Sequence, residues 1–282
     1  MIWKVIADLL MPRTCLACGA ELGPEEEHLC ESCWKDLPRT RYWKLRENPM
    51  AESFNALIQR NMGEDVRYQS YGYAASLYLY KGGYREISKA LKYRRNFAAG
   101  RCFGRMLGTT LAGSQFFRDV DLVVPIPLHW TRRWQRGYNQ AAVIAREVAA
   151  CLGCPCDSRL LKRARHTQTQ THLNAEGRAA NVSGAFQVKA RNWRRLVTQE
   201  PPSPHRQPSS SRPDSSLRPL SSCQLASPHH FLLIDDVFTT GATAAACERA
   251  IREVLRAESP GGRISGAAQP RISIATLACV ER

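Results

Sequence analysis

The stretch "FLLIDDVFTTGATAAACERAI", residues 231–251, decides the fold. Phe231–Ile234 is a continuous apolar run, as expected of a strand covered on both faces. From about Ala244 the stretch turns into a helix. Between the two stand adjacent carboxylates, Asp235 and Asp236, then Thr239, Thr240, Gly241, Ala242 and Thr243. A strand–turn–helix unit of this kind belongs to a parallel sheet, whose ligands lie beyond the carboxyl ends of the strands. There the free N–H groups of the helix and the positive end of its dipole form a cradle for phosphate. Threonine hydroxyls add donors, Gly241 lets the backbone approach closely, and the small Ala242 does not obstruct it. Carboxylates beside a phosphate do not bind it; they accept hydrogen bonds from sugar hydroxyls or help to hold a divalent ion. Phosphate next to a diol means a ribose 5-phosphate group. An acidic cap on an ordinary helix would need one aspartate and no run of hydroxyls.

The flanking sequence extends the same architecture. "YGYAASLYLY" (71–80) reads as a strand that stops at the turn Lys81-Gly82-Gly83. "YREISKALKYRRN" (84–96) has helical spacing and leads into a second helix through Leu107 and Leu111. "DVDLVVPIP" (119–127) is an apolar strand closed by prolines, followed by a basic turn, "LHWTRRWQRGYNQ", and a helix, "AAVIAREVAACL". A polar loop over 163–178, a short strand "GAFQV" and a last strand "RISIATLACV" complete the pattern, while residues 40–70 show no clear element. Strands alternating with helices predict an α/β fold with an open, mostly parallel sheet flanked by helices.

The length of 282 residues suits one core of ordinary size plus appendages. The net charge of +15 is concentrated: residues 81–105 carry eight Lys/Arg against Glu86 alone, and residues 159–195 carry nine against Glu176 alone. Such stretches point to an anionic partner, a polyphosphate ligand or nucleic acid, or else form a solvated basic surface. "MIWKVIADLLM" has helical spacing and is too short, with Lys4 and Asp8 inside it, to span a bilayer. A soluble, cytoplasmic protein is expected, in which the eleven cysteines do not pair as disulfides.

Four cysteines are patterned. Cys15-x-x-Cys18 and Cys30-x-x-Cys33 are two chelating turns separated by eleven residues, the spacing of a structural zinc site whose four thiolates leave no open position. A segment of about forty residues has too little apolar mass to fold unaided, so the metal contributes to its folding. Cys151, Cys154 and Cys156 offer three thiols and no fourth ligand, and no metal is assigned to them. Residues 198–230 are dominated by Pro and Ser and read as a disordered insertion between strands. Its histidines, His205, His229 and His230, are read as solvated and without function.

Neither a GxxxxGK[ST] phosphate loop nor a GxGxxG dinucleotide motif is present. "LLIDDVFTTGAT" closely resembles the phosphoribosyl pyrophosphate (PRPP) motif of type I phosphoribosyltransferases. Together with "CLAC…LCESCWKDLP", "ALKYRRN", "VPIPLHWTRRWQRGYNQAAVIA" and "RARHTQTQTHLNAEGRAANVSGAF", in that order, it resembles the ComF family of competence-associated proteins. The insertion and Gly177 depart from that family's pattern.

The resemblance implies an N-terminal helix and zinc-ribbon-like segment over 1–40, a hood or connector over 41–75, and a type I phosphoribosyltransferase-like domain over 76–282, interrupted at about 198–230. It implies that Asp235 and Asp236 accept the ribose hydroxyls and that Thr239, Thr240, Gly241, Ala242 and Thr243 hold the 5-phosphate. Pro125–His129, with Pro127 and His129, resembles a pyrophosphate loop, and Arg165–Arg178, with Thr167, Gln170 and Arg178, a closing loop. Lys92, Arg132, Arg133 and Arg136 are candidate partners of pyrophosphate or of nucleic-acid phosphates. Arg136–Gln140 is family-like, and Asn139 and Gln140 serve equally well as the start of a helix. The implied ligands are structural zinc, PRPP with magnesium, and a nucleobase-like acceptor bound by the hood, with no general base in evidence. The family's name further implies DNA uptake in competence, beside a helicase and recombination-loading factors. In that setting the protein is either a phosphoribosyltransferase or a non-catalytic adaptor that binds single-stranded DNA or senses PRPP.

Overall fold

The computed structural model describes residues 13–62, 72–93, 96–128, 134, 137–163, 185–198, 230–257 and 270–281. The cysteine turns are followed by α1 (Glu31–Asp36), a 3-10 turn (Tyr42–Lys44), α2 (Pro49–Met62), β1 (Ala74–Leu79), α3 (Tyr84–Tyr93) and α4 (Phe97–Ala112). Then come β2 (Leu122–Pro125), α5 (Gln140–Leu152), β3 (Leu161–Arg163), β4 (Phe186–Val188) and α6 (Ala190–Thr198). The chain closes with β5 (His230–Phe238), α7 (Ala242–Ala257) and β6 (Arg271–Cys279).

The main sheet has the order β1-β6-β5-β2, and every pairing in it is parallel. Successive side chains of β5 point to opposite faces, yet all of Phe231, Leu232, Leu233 and Ile234 are fully buried, because helices cover both sides. Leu232 and Ile234 pack with α3, α4 and α5, whereas Phe231 and Leu233 pack with α2, α7 and the short strands. Complete burial of each of these side chains stabilises by roughly 1.5–3 kcal/mol, which is why the run stays apolar until the strand passes its neighbour β2.

The helices α4 and α5 approach closely over Gly100, Gly104 and Gly108. A Cβ on Gly108 would stand 2.8 Å from the Cys151 Cβ and 2.9 Å from the Val148 Cα.

Four sequence expectations are corrected. Residues 49–62, read as irregular, form α2; Asn48 caps it through Oδ1, which accepts from the Ala51 N–H at 3.0 Å, and Pro49 takes the first helical position. β3 and β4 pair antiparallel as a separate two-stranded sheet, so "GAFQV" lies outside the main sheet. β5 runs on through both aspartates to Phe238, and α7 begins at Ala242 rather than Ala244. His230, placed in the solvated tract, is instead the first residue of β5 and is 2 % exposed. Its Nδ1 lies 2.9 Å from Asp119 Oδ1, its Nε2 lies 2.7 Å from Ser273 Oγ, and its N–H donates to Asp121 Oδ2. Those contacts anchor the chain as it re-enters the sheet. Residues 199–229, with His205 and His229, lie outside the described residues. Among the described residues no helix is long and apolar enough to cross a membrane.

Candidate functional site

The site follows from unequal strand lengths. The last pairing of β2 joins Pro125 to Ile234, while β5 continues beside β6 through Asp235↔Thr276 to Phe238↔Cys279. Asp235 is therefore the first β5 residue beyond β2, and the sheet edge is open there. By alternation Asp235 follows Phe231 and Leu233 on the α7 face, and Asp236 follows Leu232 and Ile234 on the α3 face. Asp235 Oδ1 accepts from the Asp236 N–H at 2.8 Å, and Asp236 Oδ1 from the Val237 N–H at 2.9 Å.

On the α7 face a cavity of about 30 Å³ is lined by Asp235, Ile126, Thr239, Gly241 and Thr243. The turn needs glycine: Gly241 has φ +78°, and a Cβ there would meet the Phe238 ring at 2.6 Å and Leu57 of α2 at 3.1 Å. Thr240 Oγ1 accepts from the Ala242 N–H at 3.4 Å, and α7 starts directly behind, so the amides of its first turn have no acceptor within the helix. Burial, and next the charge of Asp236, hold the Asp235 carboxyl well above the usual carboxylate range, with the Asp236 N–H and Lys92 opposing. Asp235 keeps a narrow opening to the cavity but is otherwise enclosed by protein.

On the α3 face Lys92 Nζ lies 3.1 Å from Asp236 Oδ2, with both side chains mostly buried. The ion pair lacks hydrogen-bond geometry, so among the described residues Oδ2 is balanced by charge. Lys92 also sits 5.9 Å from the Tyr80 ring centroid. The last turn of α3 is pinned from α5 and the turn before it: the Tyr138 hydroxyl donates to the Leu91 carbonyl, and Gln140 Nε2 donates to the carbonyls of Leu91 and Lys92 at 3.4 Å. Asn139 caps α5 by accepting from the Ala141 N–H at 3.1 Å, and its Nδ2 donates to Ile126 O at 3.0 Å. The family-like Tyr138-Asn139-Gln140 thus builds the start of a helix and at the same time fixes the backbone beneath Lys92.

Of the sequence candidates, Asp235, Thr239, Gly241 and Thr243 line one cavity, Thr240 and Ala242 do not line it, and Asp236 and Lys92 meet on the opposite face of the strand. Pro127 follows β2 at the same sheet edge and is half-buried. His129, Arg132, Arg133, Arg136, Thr167, Gln170 and Arg178 lie outside the described residues. Sequence reasoning missed Leu57, which reaches the loop from α2, and Tyr84, whose buried hydroxyl finds no hydrogen-bond partner among the described residues. The cap pair Asn48-Pro49 could have revealed α2 and hence Leu57; nothing in the sequence singles out Tyr84.

The second centre is the cysteine set. The Sγ atoms of Cys15, Cys18, Cys30 and Cys33 all lie within 4.8 Å of one another. The Cys18–Cys30 separation of 3.8 Å matches the edge of a tetrahedron with bonds of about 2.3 Å, the length of a zinc–thiolate bond. Burial raises the Cys15 thiol, but the backbone amides of Cys18, Cys30 and Ala17 outweigh it and bring the pKa down to about 6. Burial and the neighbouring thiols push Cys33 up, so without a cation the set cannot be fully ionised. These residues fit zinc, which supplies the compensating charge.

Residues 6–42 match the model of the double zinc ribbon domain. That span contains four cysteines, enough for one ion. The chain is 26 % identical to "Competence protein F" of Haemophilus influenzae over 171 residues, 60 % of this chain and 61 % of that protein. It is 31 % identical to "DNA utilization protein YhgH" of Salmonella typhi over 125 residues, 44 % of this chain and 40 % of that protein. The protein of the same description from Escherichia coli (strain K12) is 29 % identical over the same length. The chain thus spans about half of the curated relatives it matches. The ComF resemblance read from the motifs is borne out by these relatives.

Proposed function

We propose, starting from this kinship with competence and DNA utilization proteins, that the protein binds PRPP with magnesium at the β5–α7 turn and transfers or exchanges its phosphoribosyl group with a nucleobase-like acceptor during DNA uptake. The observation that carries the reading is that Asp235, Thr239, Gly241 and Thr243 line one cavity at the start of α7. The loop amides and threonine hydroxyls would take the 5-phosphate, and Asp235 a ribose hydroxyl. Gly241, closed in by Phe238 and Leu57, keeps the backbone near the phosphate.

In the reaction the bond from the anomeric carbon to pyrophosphate breaks and a bond to the acceptor nitrogen forms, through a transition state with oxocarbenium character. Magnesium, bound with the substrate, would supply charge to the departing pyrophosphate. The aspartate oxygens are hard donors that suit such an ion. The chain itself contributes orientation, the phosphate cradle, and α2 as a wall that narrows access for water. The proposed acceptor hood includes α2, in residues 41–75.

Calorimetry with PRPP and magnesium tests the reading. Asp235→Asn is expected to weaken binding about 10- to 100-fold, the range of one lost charged hydrogen bond of roughly 1.5–3 kcal/mol. Unchanged affinity in that variant, or no magnesium-dependent binding to the wild type, would refute the proposal. Release of pyrophosphate on adding free bases then separates transfer from binding alone.

A second reading, a single-stranded-DNA-binding adaptor, draws on a basic surface. Arg159, Lys162, Lys189, Arg191 and Arg194 are all exposed on β3–β4–α6, a unit tied together by Asn192 Nδ2 donating to Arg159 O at 2.7 Å. Strongly salt-dependent binding to single strands that survives Asp235→Asn would favour it.

A further inference from the structure

The face of α3 that meets Asp236 carries a polar seam on its buried side. Tyr84, Ser88 and Lys92 recur every fourth residue, so they lie along one stripe. Tyr84 and Ser88 are 0 % and 2 % exposed, and neither hydroxyl has a hydrogen-bond partner among the described residues. The Tyr84 hydroxyl is close enough to Asp236 for that carboxylate's charge to push its pKa up, after burial. Asp236 Oδ2 is itself a buried acceptor without a hydrogen bond among the described residues. The Lys92 ammonium, at 3.1 Å, compensates it.

Buried polar atoms are in the great majority of cases hydrogen-bonded. Here the Lys92 ammonium meets the Asp236 carboxylate where β5 runs beyond β2. The lysine does not approach the phosphate loop; it faces the other side of the strand. An ammonium that reaches its carboxylate without hydrogen-bond geometry is a replaceable partner, held by charge rather than by a directed bond.

We propose that Lys92 is a tethered counter-ion of Asp236 that competes with a divalent cation for the same carboxylate, so that it is a positioning residue and not a phosphate ligand. In the ligand-free protein the ammonium neutralises Asp236. A cation that engages the carboxylate displaces Lys92 toward Tyr80, over whose ring it already lies. This inference rests on the site proposed above but is tested apart from it.

The test is manganese binding to the full-length protein without any sugar ligand, by calorimetry and by the loss of the free-ion paramagnetic signal. Lys92→Met is expected to bind manganese about tenfold more tightly than the wild type, the factor that corresponds to roughly 1.4 kcal/mol. Lys92→Arg, which keeps the charge, should retain wild-type affinity, and the gain should vanish in Lys92→Met combined with Asp236→Asn. Should Lys92→Met fold poorly, Lys92→Gln serves instead, with the same direction expected. Manganese affinity that is unchanged or lower in the neutral variants overturns the proposal. PRPP binding to the wild type is measured separately: if it is present while the manganese gain is absent, only this inference fails. A manganese gain without PRPP binding would leave it standing and sink the phosphoribosyl reading.

Discussion

Removing the metal from the four-cysteine centre is expected to destabilise the sheet as well as the ribbon. Leu22, Leu29 and Leu37 of the ribbon belong to the same buried cluster as Ile87, Phe103 and Leu232, and the Trp34 ring lies 5.6 Å from that of Phe103. At roughly 1.5–3 kcal/mol for each buried leucine, the three represent about 5–9 kcal/mol, an upper bound because the unfolded chain is already compact. If about half of that burial is against the sheet domain, loosening of the ribbon removes about 2–4 kcal/mol from it. For a domain of this size that lowers Tm by roughly 5–15 °C. Zinc would be withdrawn with a strong chelator or by Cys30→Ser, its release followed with a chromogenic indicator, and unfolding monitored by calorimetry and by the near-ultraviolet aromatic signal, to which Trp34 contributes. Complete zinc loss with Tm within about 1 °C of the holoprotein and an unchanged aromatic signal would refute the reasoning.

Asp235→Asn is expected to raise stability at neutral pH even as it weakens ligand binding. The folded carboxyl is held well above its unfolded range by burial and by Asp236. It therefore favours folding at low pH, and that contribution is lost as pH rises from the unfolded carboxylate range toward the folded pKa. Urea midpoints at pH 7 and pH 4 check this: the gain should shrink at pH 4, and a variant less stable than wild type at pH 7 contradicts it. Gly108→Ala should destabilise, since its Cβ would sit 2.9 Å from the Val148 Cα. Overpacking of about 1–3 kcal/mol there exceeds the gain in helix propensity of up to about 1 kcal/mol. Gly113→Ala, with its nearest neighbour at 3.7 Å, is the matched control and should leave the urea midpoint almost unmoved.

The parallel sheet was legible because burial on both faces leaves an unmistakable mark, the unbroken runs Phe231–Ile234 and Leu122–Val124. The zinc set was legible because chelation fixes ligand type and spacing in the sequence itself. α2 was overlooked although it was legible: its buried residues, Met50, Ala51, Phe54 and Ile58, recur at helical spacing, and Asn48-Pro49 marked its start. His230 was misread for a different reason. Its histidine neighbour and the Pro/Ser tract before it conceal that its partners, Asp119 and Ser273, come from distant parts of the chain. The same limit applies at the site. Spacing places Asp235 and Asp236 at a strand end, but which face each one takes depends on where β2 stops, and Lys92 reaches Asp236 only through the fold.

Two adjacent acids at a buried strand end pose an electrostatic problem, because like charges this close oppose each other's ionisation. Each face of β5 solves it differently. Toward α7 the solution is a shift of the balance to the protonated form, since burial and next the Asp236 charge raise the Asp235 carboxyl. Toward α3 it is an ammonium, delivered by a helix whose final turn is held by Tyr138 and Gln140. A ligand that uses both acids must reverse both arrangements. Under the proposed function a sugar hydroxyl would donate to Asp235, and a cation would replace Lys92 on Asp236. Magnesium should then tighten the binding of an activated sugar more than that of a sugar phosphate lacking pyrophosphate, because only the former brings a cation to the α3 face. Parallel calorimetric titrations with PRPP and ribose 5-phosphate, each with and without magnesium, measure that difference, and an equal effect of magnesium on both would show that the two faces do not act on one ligand.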